Sequence, residues 1–206
     1  VTPVCSSAST LCSDPNATVN GVQEYYAFLD YNTCNLGGCE YNLDWTTCCR
    51  NGAITSLSNP NSQAMGVRDF IRIPASYVNT TPIYTNHPLF FACVGQTNSI
   101  GMGGVDPDGD DLRYSLSACY DSPNGIPVTY AVGYSATAPM GPSWDVTLDS
   151  LSGVLTFAPQ PGNLEVGVVC VETREYRNGV LIGRYTRDIQ THMVSCGAQN
   201  SPFLGN

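Results

Sequence analysis

Ten cysteines in a chain of 206 residues constrain this protein more than any other feature of its sequence. They are Cys5, Cys12, Cys34, Cys39, Cys48, Cys49, Cys93, Cys119, Cys170 and Cys196. An even number of cysteines at this density predicts full pairing into disulfides, which form in an oxidising compartment. Zinc is the weaker interpretation, because the chain has no CxxC pair and only His87 and His192 could supply nitrogen ligands.

The last four cysteines favour a pairing within the second half of the chain. Cys119 ends a predicted strand and Cys170 lies in the most apolar strand, whereas Cys93 and Cys196 lie on the first and last strands of that half. The favoured pairs are therefore Cys119–Cys170 and Cys93–Cys196, although the sequence leaves other connectivities open. The vicinal pair Cys48-Cys49 is expected to bond to two separate partners, because the ring that would join them is strained.

Period-two alternation of polar and apolar residues predicts an all-β protein. The predicted strands cover residues 24–30, 42–46, 67–73, 89–94, 112–116, 127–132, 154–157, 165–173 and 188–196. Asn178-Gly179 fits a two-residue type I′ turn and predicts a hairpin. The segment 76–88 is rich in Pro, Asn and Thr, as linkers are. The pattern therefore predicts two disulfide-rich β-sandwich domains, covering residues 1–84 and 85–206.

An acidic turn precedes one of these strands. Its carboxylates are supplied by Asp106, Asp108, Asp110 and Asp111. Acids packed this closely repel one another unless a hard cation joins them, and an oxygen-only cluster suits Ca²⁺. Asp and Gly also favour turns for backbone reasons alone, so a turn without a metal is the competing interpretation. The spacing does not match an EF-hand, because Gly109 is the fourth residue rather than the sixth.

Two further acids could reach the same cation. Glu172 and Asp188 lie on neighbouring predicted strands, and either could contribute an oxygen if its strand passes close to the turn. The competing interpretation is an internal ion pair with a neighbouring arginine, such as Arg174, Arg177 or Arg187.

The charge balance excludes several classes of partner. The chain has eight basic residues, all arginine, and a formal net charge of −9. Without lysine it cannot form Schiff bases or bind phosphate as P-loop proteins do. Nucleic acids and anionic membranes would need a basic face, so neither is an expected partner. No apolar run reaches the length of a transmembrane helix.

Several motifs in a fixed order resemble a segment found in large surface proteins of Bacteroidota. The order is Cys48-Cys49-Arg50-Asn51, then residues 79–84, then the acidic turn with Tyr114-Ser115-Leu116, then Glu172, residues 175–179 and residues 187–190. Those proteins are exported by the type IX secretion system, and many are associated with gliding motility. Residues 106–116 and 149–155 also resemble cadherin-like and immunoglobulin-like modules.

The resemblance implies an extracellular, structural or adhesive role on the cell surface. The chain is expected to be one module of a larger protein or a mature fragment. Its expected partners are further copies of itself or neighbouring modules, in a surface filament or a tandem adhesin, and surface glycans. A filament would be joined by strand exchange or by end-to-end docking.

Enzymatic activity is not expected from the sequence. Neither histidine lies in a recognisable catalytic setting, no G-x-S-x-G elbow is present, and paired cysteines leave no free thiolate. Carbohydrate binding is the alternative function, in which a calcium ion assists an aromatic platform. Trp144 is the ring most expected to be exposed, and Tyr134 is its candidate companion.

Overall fold

The computed structural model describes residues 14–16, 38–73, 78–122, 124–141, 145–162 and 164–196. The chain divides into two compact units, residues 1–35 and 36–206. Nearly all described residues belong to the second unit. Its strands are β1 (Cys39–Thr47), β2 (Met65–Ile73), β3 (Ile83–Tyr84), β4 (Leu89–Cys93), β5 (Asn98–Gly101), β6 (Gly104–Val105), β7 (Asp111–Ser117), β8 (Val146–Leu148), β9 (Val154–Phe157), β10 (Val166–Arg177) and β11 (Val180–Val194).

The described part of the chain confirms the all-β prediction. It contains no α-helix, only a single 3-10 turn at Pro60–Ser62. The predicted strand at 127–132 is absent; Pro127 and Tyr130 make only isolated bridges. The prediction for residues 24–30 lies outside the described residues. None of the described residues forms a helix long and apolar enough to cross a membrane.

A six-stranded sheet organises the second unit. Its order is β1-β2-β11-β10-β7, and β4 pairs with the end of β11 in parallel while the other pairs are antiparallel. The β10–β11 hairpin turns at Asn178 and Gly179, which both have positive φ (53° and 77°), as a type I′ turn requires. A three-stranded sheet (β5-β9-β8) and the β3–β6 pair complete the strand pairing.

The large core lies on one face of the six-stranded sheet, called here the inner face. Val171 of β10, Ile189 of β11 and Phe157 of β9 all belong to this core and are inaccessible to solvent. On the opposite face of β10, the described residues form a second core cluster at the beginning of the strand, where Val168 and Cys170 pack against Ile54. The beginning of β10 is therefore buried on both sides, which explains its continuous apolar run.

Hydrogen bonds of the large sheet cross the predicted domain boundary at residue 85. Gly183 and Arg184 of β11 pair with Ile71 and Phe70 of β2. The compact unit 36–206 therefore includes the predicted boundary, which falls between β3 and β4.

Disulfides connect distant parts of this unit. Cys93 bonds to Cys196 and Cys119 bonds to Cys170, the same two pairs that the sequence favours. The prediction for Cys48-Cys49 is wrong: these cysteines bond to each other, across a cis peptide bond with their Cα atoms 3.1 Å apart. Disulfides of this kind are typical of an oxidising, extracellular setting.

Candidate metal centre

The acidic turn folds through its own hydrogen bonds. It connects the end of β6 to the first residue of β7. Oδ1 of Asp106 accepts the backbone N–H groups of Asp108 (2.9 Å) and Asp110 (3.0 Å). Gly109 has a φ of 81°, which glycine adopts without steric cost. The turn therefore holds its shape by ordinary Asx chemistry, and its carboxylates remain to be neutralised.

Arg177, the last residue of β10, supplies part of that neutralisation. Its Nε donates to Oδ1 of Asp110 at 2.7 Å, and its Nη2 lies 3.3 Å from Oδ2 of Asp108. The bond to Asp110 raises the pKa of Arg177 above its ordinary value. The N–H of Thr80 donates to Asp108 at 2.6 Å, and this bond, with Arg177, holds the pKa of Asp108 below its usual range.

Glu175 is the acid that the sequence interpretation missed. It lies on the inner face of β10 and is inaccessible to solvent. Its Oε2 accepts a hydrogen bond from the hydroxyl of Tyr185 at 2.5 Å. Its Oε1, and likewise Oδ2 of Asp106, has no hydrogen-bond partner among the described residues. Burial raises the pKa of Glu175, and the bond from Tyr185 together with the nearby Asn79 side-chain amide opposes that rise only in part.

Asp106, Asp110 and Glu175 converge on one point. Each offers a carboxylate oxygen, and the three oxygens lie within 4.8 Å of one another. Arg177 pairs with Asp110 of this group and with the neighbouring Asp108, so one guanidinium serves a cluster of four carboxylates. Buried oxygens that lack donors, together with an excess of negative charge, fit a hard divalent cation. Calcium suits this set better than zinc, since every donor is an oxygen.

The predicted ligand set is therefore revised. Asp106 and Asp110 belong to the convergent group. Asp110 also accepts hydrogen bonds from Arg177 through both oxygens, so its place in the group rests on its closeness to Asp106 and Glu175. Asp108 lies outside this group and is bonded to Thr80 and Arg177, while the side chain of Asp111 is 70% exposed and lies 3.7 Å from Arg113. Asp111 is the first residue of β7, and strand alternation directs it to the outer face of the sheet.

Neither Glu172 nor Asp188 reaches the turn. Glu172 lies on the outer face, 2.6 Å from Arg174 and 3.7 Å from Arg184. Asp188 pairs with Arg50 instead. The ion-pair interpretation therefore holds for both acids, and the partner of Asp188 comes from a loop far away in sequence.

Strand parity is the signal that could have revealed Glu175. Along β10, Val169, Val171 and Thr173 are buried on the inner face, and Glu175 continues the same alternation. An acid at a core position must be paired or neutralised by groups that pack against that face.

The proposed aromatic platform is only partly described. Trp144 lies outside the described residues. The hydroxyl of Tyr134 donates to Oε2 of Glu165 at 3.0 Å, and its ring contacts the backbone at Gly141. Burial, followed by the nearby Glu165 carboxylate, raises the pKa of Tyr134 to about 12. Tyr134 is thus half-buried and engaged within the protein.

Comparisons with known proteins add little to this picture. No family model and no curated protein matches the chain. One similar solved structure is a nucleoside hydrolase-related hypothetical protein from Saccharophagus degradans associated with carbohydrate metabolism; it is 17% identical over 58% of this chain and 26% of its own, with a TM-score of 0.34. Another is an endo-fucoidan hydrolase of glycoside hydrolase family 107, 11% identical over 76% of this chain and 24% of its own, with a TM-score of 0.33.

These two neighbours correct the expectation that enzymatic activity is absent. One is a hydrolase and the other is related to hydrolases, so the exclusion of enzymes drawn from the sequence is withdrawn. The chain spans about a quarter of the length of each neighbour. Similarity at this level assigns no activity to this chain.

Proposed function

We propose that this chain is an extracellular structural or adhesive module that a bound calcium ion stiffens. The observation that carries the proposal is the buried, incompletely paired group formed by Asp106, Asp110 and Glu175. The proposed fold of residues 36–206 is one immunoglobulin- or cadherin-like β-sandwich, in which two sheets contribute to the large core.

The candidate metal centre and the disulfides join segments that are far apart in sequence. The candidate metal centre connects the β6–β7 turn to the far end of β10, and Arg177 also donates to the carbonyl of Val78 ahead of β3. The Cys93–Cys196 disulfide closes a loop between residues 103 positions apart. A cation at the turn would therefore lock one end of a unit whose chain is already cross-linked, and such a unit resists extension.

A secreted surface module of Bacteroidota, in a filament or a tandem adhesin, is the specific form of the proposal. The ordered motifs described above support it, and the disulfides fit the compartment. Copies of the chain itself or neighbouring modules are its proposed partners. Surface glycans are the second class of partner.

Thermal unfolding with and without calcium tests the metal centre. The wild-type protein is expected to unfold at a higher temperature in 1 mM CaCl2 than in EDTA, because calcium binds the folded state alone. Asp106→Asn and Glu175→Gln are expected to abolish the calcium-dependent shift. Asp111→Asn is the matched control, since it removes the same charge from the same turn but from an exposed side chain.

Two results would overturn the calcium assignment. One is a wild-type unfolding temperature that calcium does not change, and the other is a loss of the shift in Asp111→Asn equal to that in Glu175→Gln. Light-scattering mass in calcium and then in chelator tests the assembly separately. A mass many times 22.0 kDa would indicate a filament subunit, and a mass near 22.0 kDa a tandem module.

A further inference from the structure

Three arginines form a row across the six-stranded sheet. Arg113 of β7 lies directly opposite Arg174 of β10, and Arg174 lies directly opposite Arg184 of β11. The row continues to Phe70 of β2, which is opposite Arg184. Directly opposed residues share a face, so all four lie on the outer face, away from the large core. We call Arg113, Arg174 and Arg184 the arginine row.

The row is exposed and unfavourable for the fold alone. The side chains of Arg113, Arg174 and Arg184 are 44%, 46% and 42% exposed. Like charges directly opposite one another on neighbouring strands destabilise a sheet. Three guanidinium groups in adjacent strands, with strands about 4.8 Å apart, concentrate positive charge along roughly 10 Å. Such an arrangement is explained by a ligand better than by stability.

Acids on the same face neutralise the row incompletely. Glu172 is shared between Arg174 and Arg184, and the exposed Asp111 lies 3.7 Å from Arg113. The arginines beside the row differ, because Arg72 and Arg68 each have an acid of their own. These acids are Glu40, at 2.6 Å, and Asp44, at 3.3 Å.

This face is also distinct within the whole molecule. Among the described residues it carries five arginines and four acids that pair with them, beside Asp188, which is buried against Arg50. The remaining arginines are engaged elsewhere: Arg50 and Arg187 are buried, and Arg177 belongs to the acidic turn. The exposed part of this face therefore carries a small excess of arginine over acid, whereas the chain as a whole has a net charge of −9.

We propose that the arginine row binds an anionic polysaccharide, one that carries carboxylate or sulfate groups. Guanidinium groups bind such oxyanions through two parallel hydrogen bonds, which an ammonium group cannot reproduce. A linear polymer lying along the row would meet one arginine per strand. The choice of a glycan as the ligand rests on the proposed extracellular role. The arginine row itself is a feature of the structure and does not depend on that role.

Charge density argues for this ligand over a nucleic acid. Duplex DNA carries one negative charge per about 1.7 Å, and the acidic remainder of this protein would repel it. A polysaccharide that carries one anionic group per sugar has a lower charge density than duplex DNA, so it can meet the row without crowding the acids around it. An acidic segment of a second copy is the remaining competitor, and the test separates it.

Binding to defined polymers tests the proposal. Dextran sulfate and polygalacturonate serve as the sulfate and carboxylate probes, with neutral dextran and a DNA duplex as controls, all measured by calorimetry in chelator and again in calcium. The wild-type protein is expected to bind at least one anionic polysaccharide and neither control. Arg174→Gln/Arg184→Gln is expected to weaken binding at least ~10-fold, since two charge-assisted contacts are lost.

A charge-matched variant gives the decisive control. Arg68→Gln/Arg72→Gln removes the same charge from the same face but spares the row, so its binding is expected to stay within about 2-fold of wild type, because each lost charge already has its own acid. Glu172→Gln is expected to strengthen binding, since it releases two arginines of the row. Equal losses in the two double variants, equal binding of DNA, or no binding of either probe would overturn the proposal.

Sedimentation velocity separates the last competitor. Self-association that Arg174→Gln/Arg184→Gln abolishes, without polysaccharide binding, would assign the row to a second copy and overturn the proposal. The binding assay is run with and without calcium, so the two proposals can be refuted independently. An absence of polysaccharide binding would not change the effect of calcium on unfolding. An absence of a calcium effect on unfolding would not change the polysaccharide binding measured in chelator.

Discussion

Two buried charge clusters in this protein differ in how completely they are paired. At one, Arg50 faces Asp188, and both side chains are almost inaccessible to solvent. Both terminal nitrogens of Arg50 donate to the Asp188 carboxylate, and further bonds reach the carbonyls of Ala64 and Tyr120. At the other, Arg177 pairs with two of four clustered carboxylates, and two buried oxygens have no donor among the described residues.

This difference distinguishes a structural ion pair from a candidate binding site. The opposite charges of Arg50 and Asp188 cancel, and the guanidinium donates to the carboxylate and to backbone carbonyls. The pair therefore holds the loop after β1 against β11 and has no excess charge that would attract a ligand. The acidic turn keeps an excess of negative charge and open lone pairs, which is the state expected of a site that a cation completes.

Breaking the balanced pair is expected to have the largest effect. Asp188→Asn leaves a buried guanidinium without its counter-ion and should lower the free energy of unfolding by about 3–5 kcal/mol. Chemical denaturation measures the loss. The double variant Arg50→Met/Asp188→Leu is the control, because removing both charges should recover much of the stability. A loss below ~1 kcal/mol in Asp188→Asn would contradict the structural role.

Asp69 tests what happens to an inward-facing acid without an arginine. Burial raises its pKa to about 6, and the N–H of Thr186 offsets only part of that rise. The folded state therefore binds the proton more tightly than the unfolded state, so the stability associated with this proton is full below pH 3.8 and is lost as the pH rises through about 6.

The expected loss between pH 4 and 7 is about 2 kcal/mol, since a shift of one pKa unit corresponds to about 1.4 kcal/mol and partial exposure reduces the effect. Denaturant unfolding of wild-type and Asp69→Asn protein over this pH range isolates it. The difference between the two proteins should change with pH; a constant difference would show that Asp69 titrates normally.

Glu175 should respond in the direction opposite to Asp188. In chelator at pH 8, Glu175→Gln removes an incompletely paired buried charge and keeps the side chain's shape. We expect the free energy of unfolding to rise by about 1 kcal/mol. The order should reverse in calcium, where the wild type gains the binding energy and the variant does not. A destabilised Glu175→Gln in chelator would instead show that its carboxylate is fully satisfied without a metal.

The smallest effect is expected at an exposed pair with the same separation as the buried one. Arg72 and Glu40 lie 2.6 Å apart, as do Arg50 and Asp188, yet the Glu40 side chain is 55% exposed. Water screens the exposed pair, so Glu40→Gln should cost at most about 1 kcal/mol. A cost approaching that of Asp188→Asn would mean that separation rather than burial governs these pairs.

Local patterns in the sequence determined much of this architecture. Alternation predicted β2 and β7 because period two is a property of each strand by itself, and a continuous apolar run predicted the beginning of β10. Asn178-Gly179 predicted its hairpin because both positions need positive φ. The acidic turn was found because adjacent carboxylates are visible in the chain, and the two disulfides of the second half followed from the order of the strands.

Only the tertiary structure decided which residues meet across strands. The register of β10 against β7 and β11 brings Glu175 to the acidic turn and aligns the arginine row, and register depends on packing between segments far apart in sequence. Asp188 meets Arg50 for the same reason, across 138 residues. The sequence by itself thus determined the strands, the turns and the acidic motif, whereas long-range packing decided which charges are paired and which remain available to a ligand.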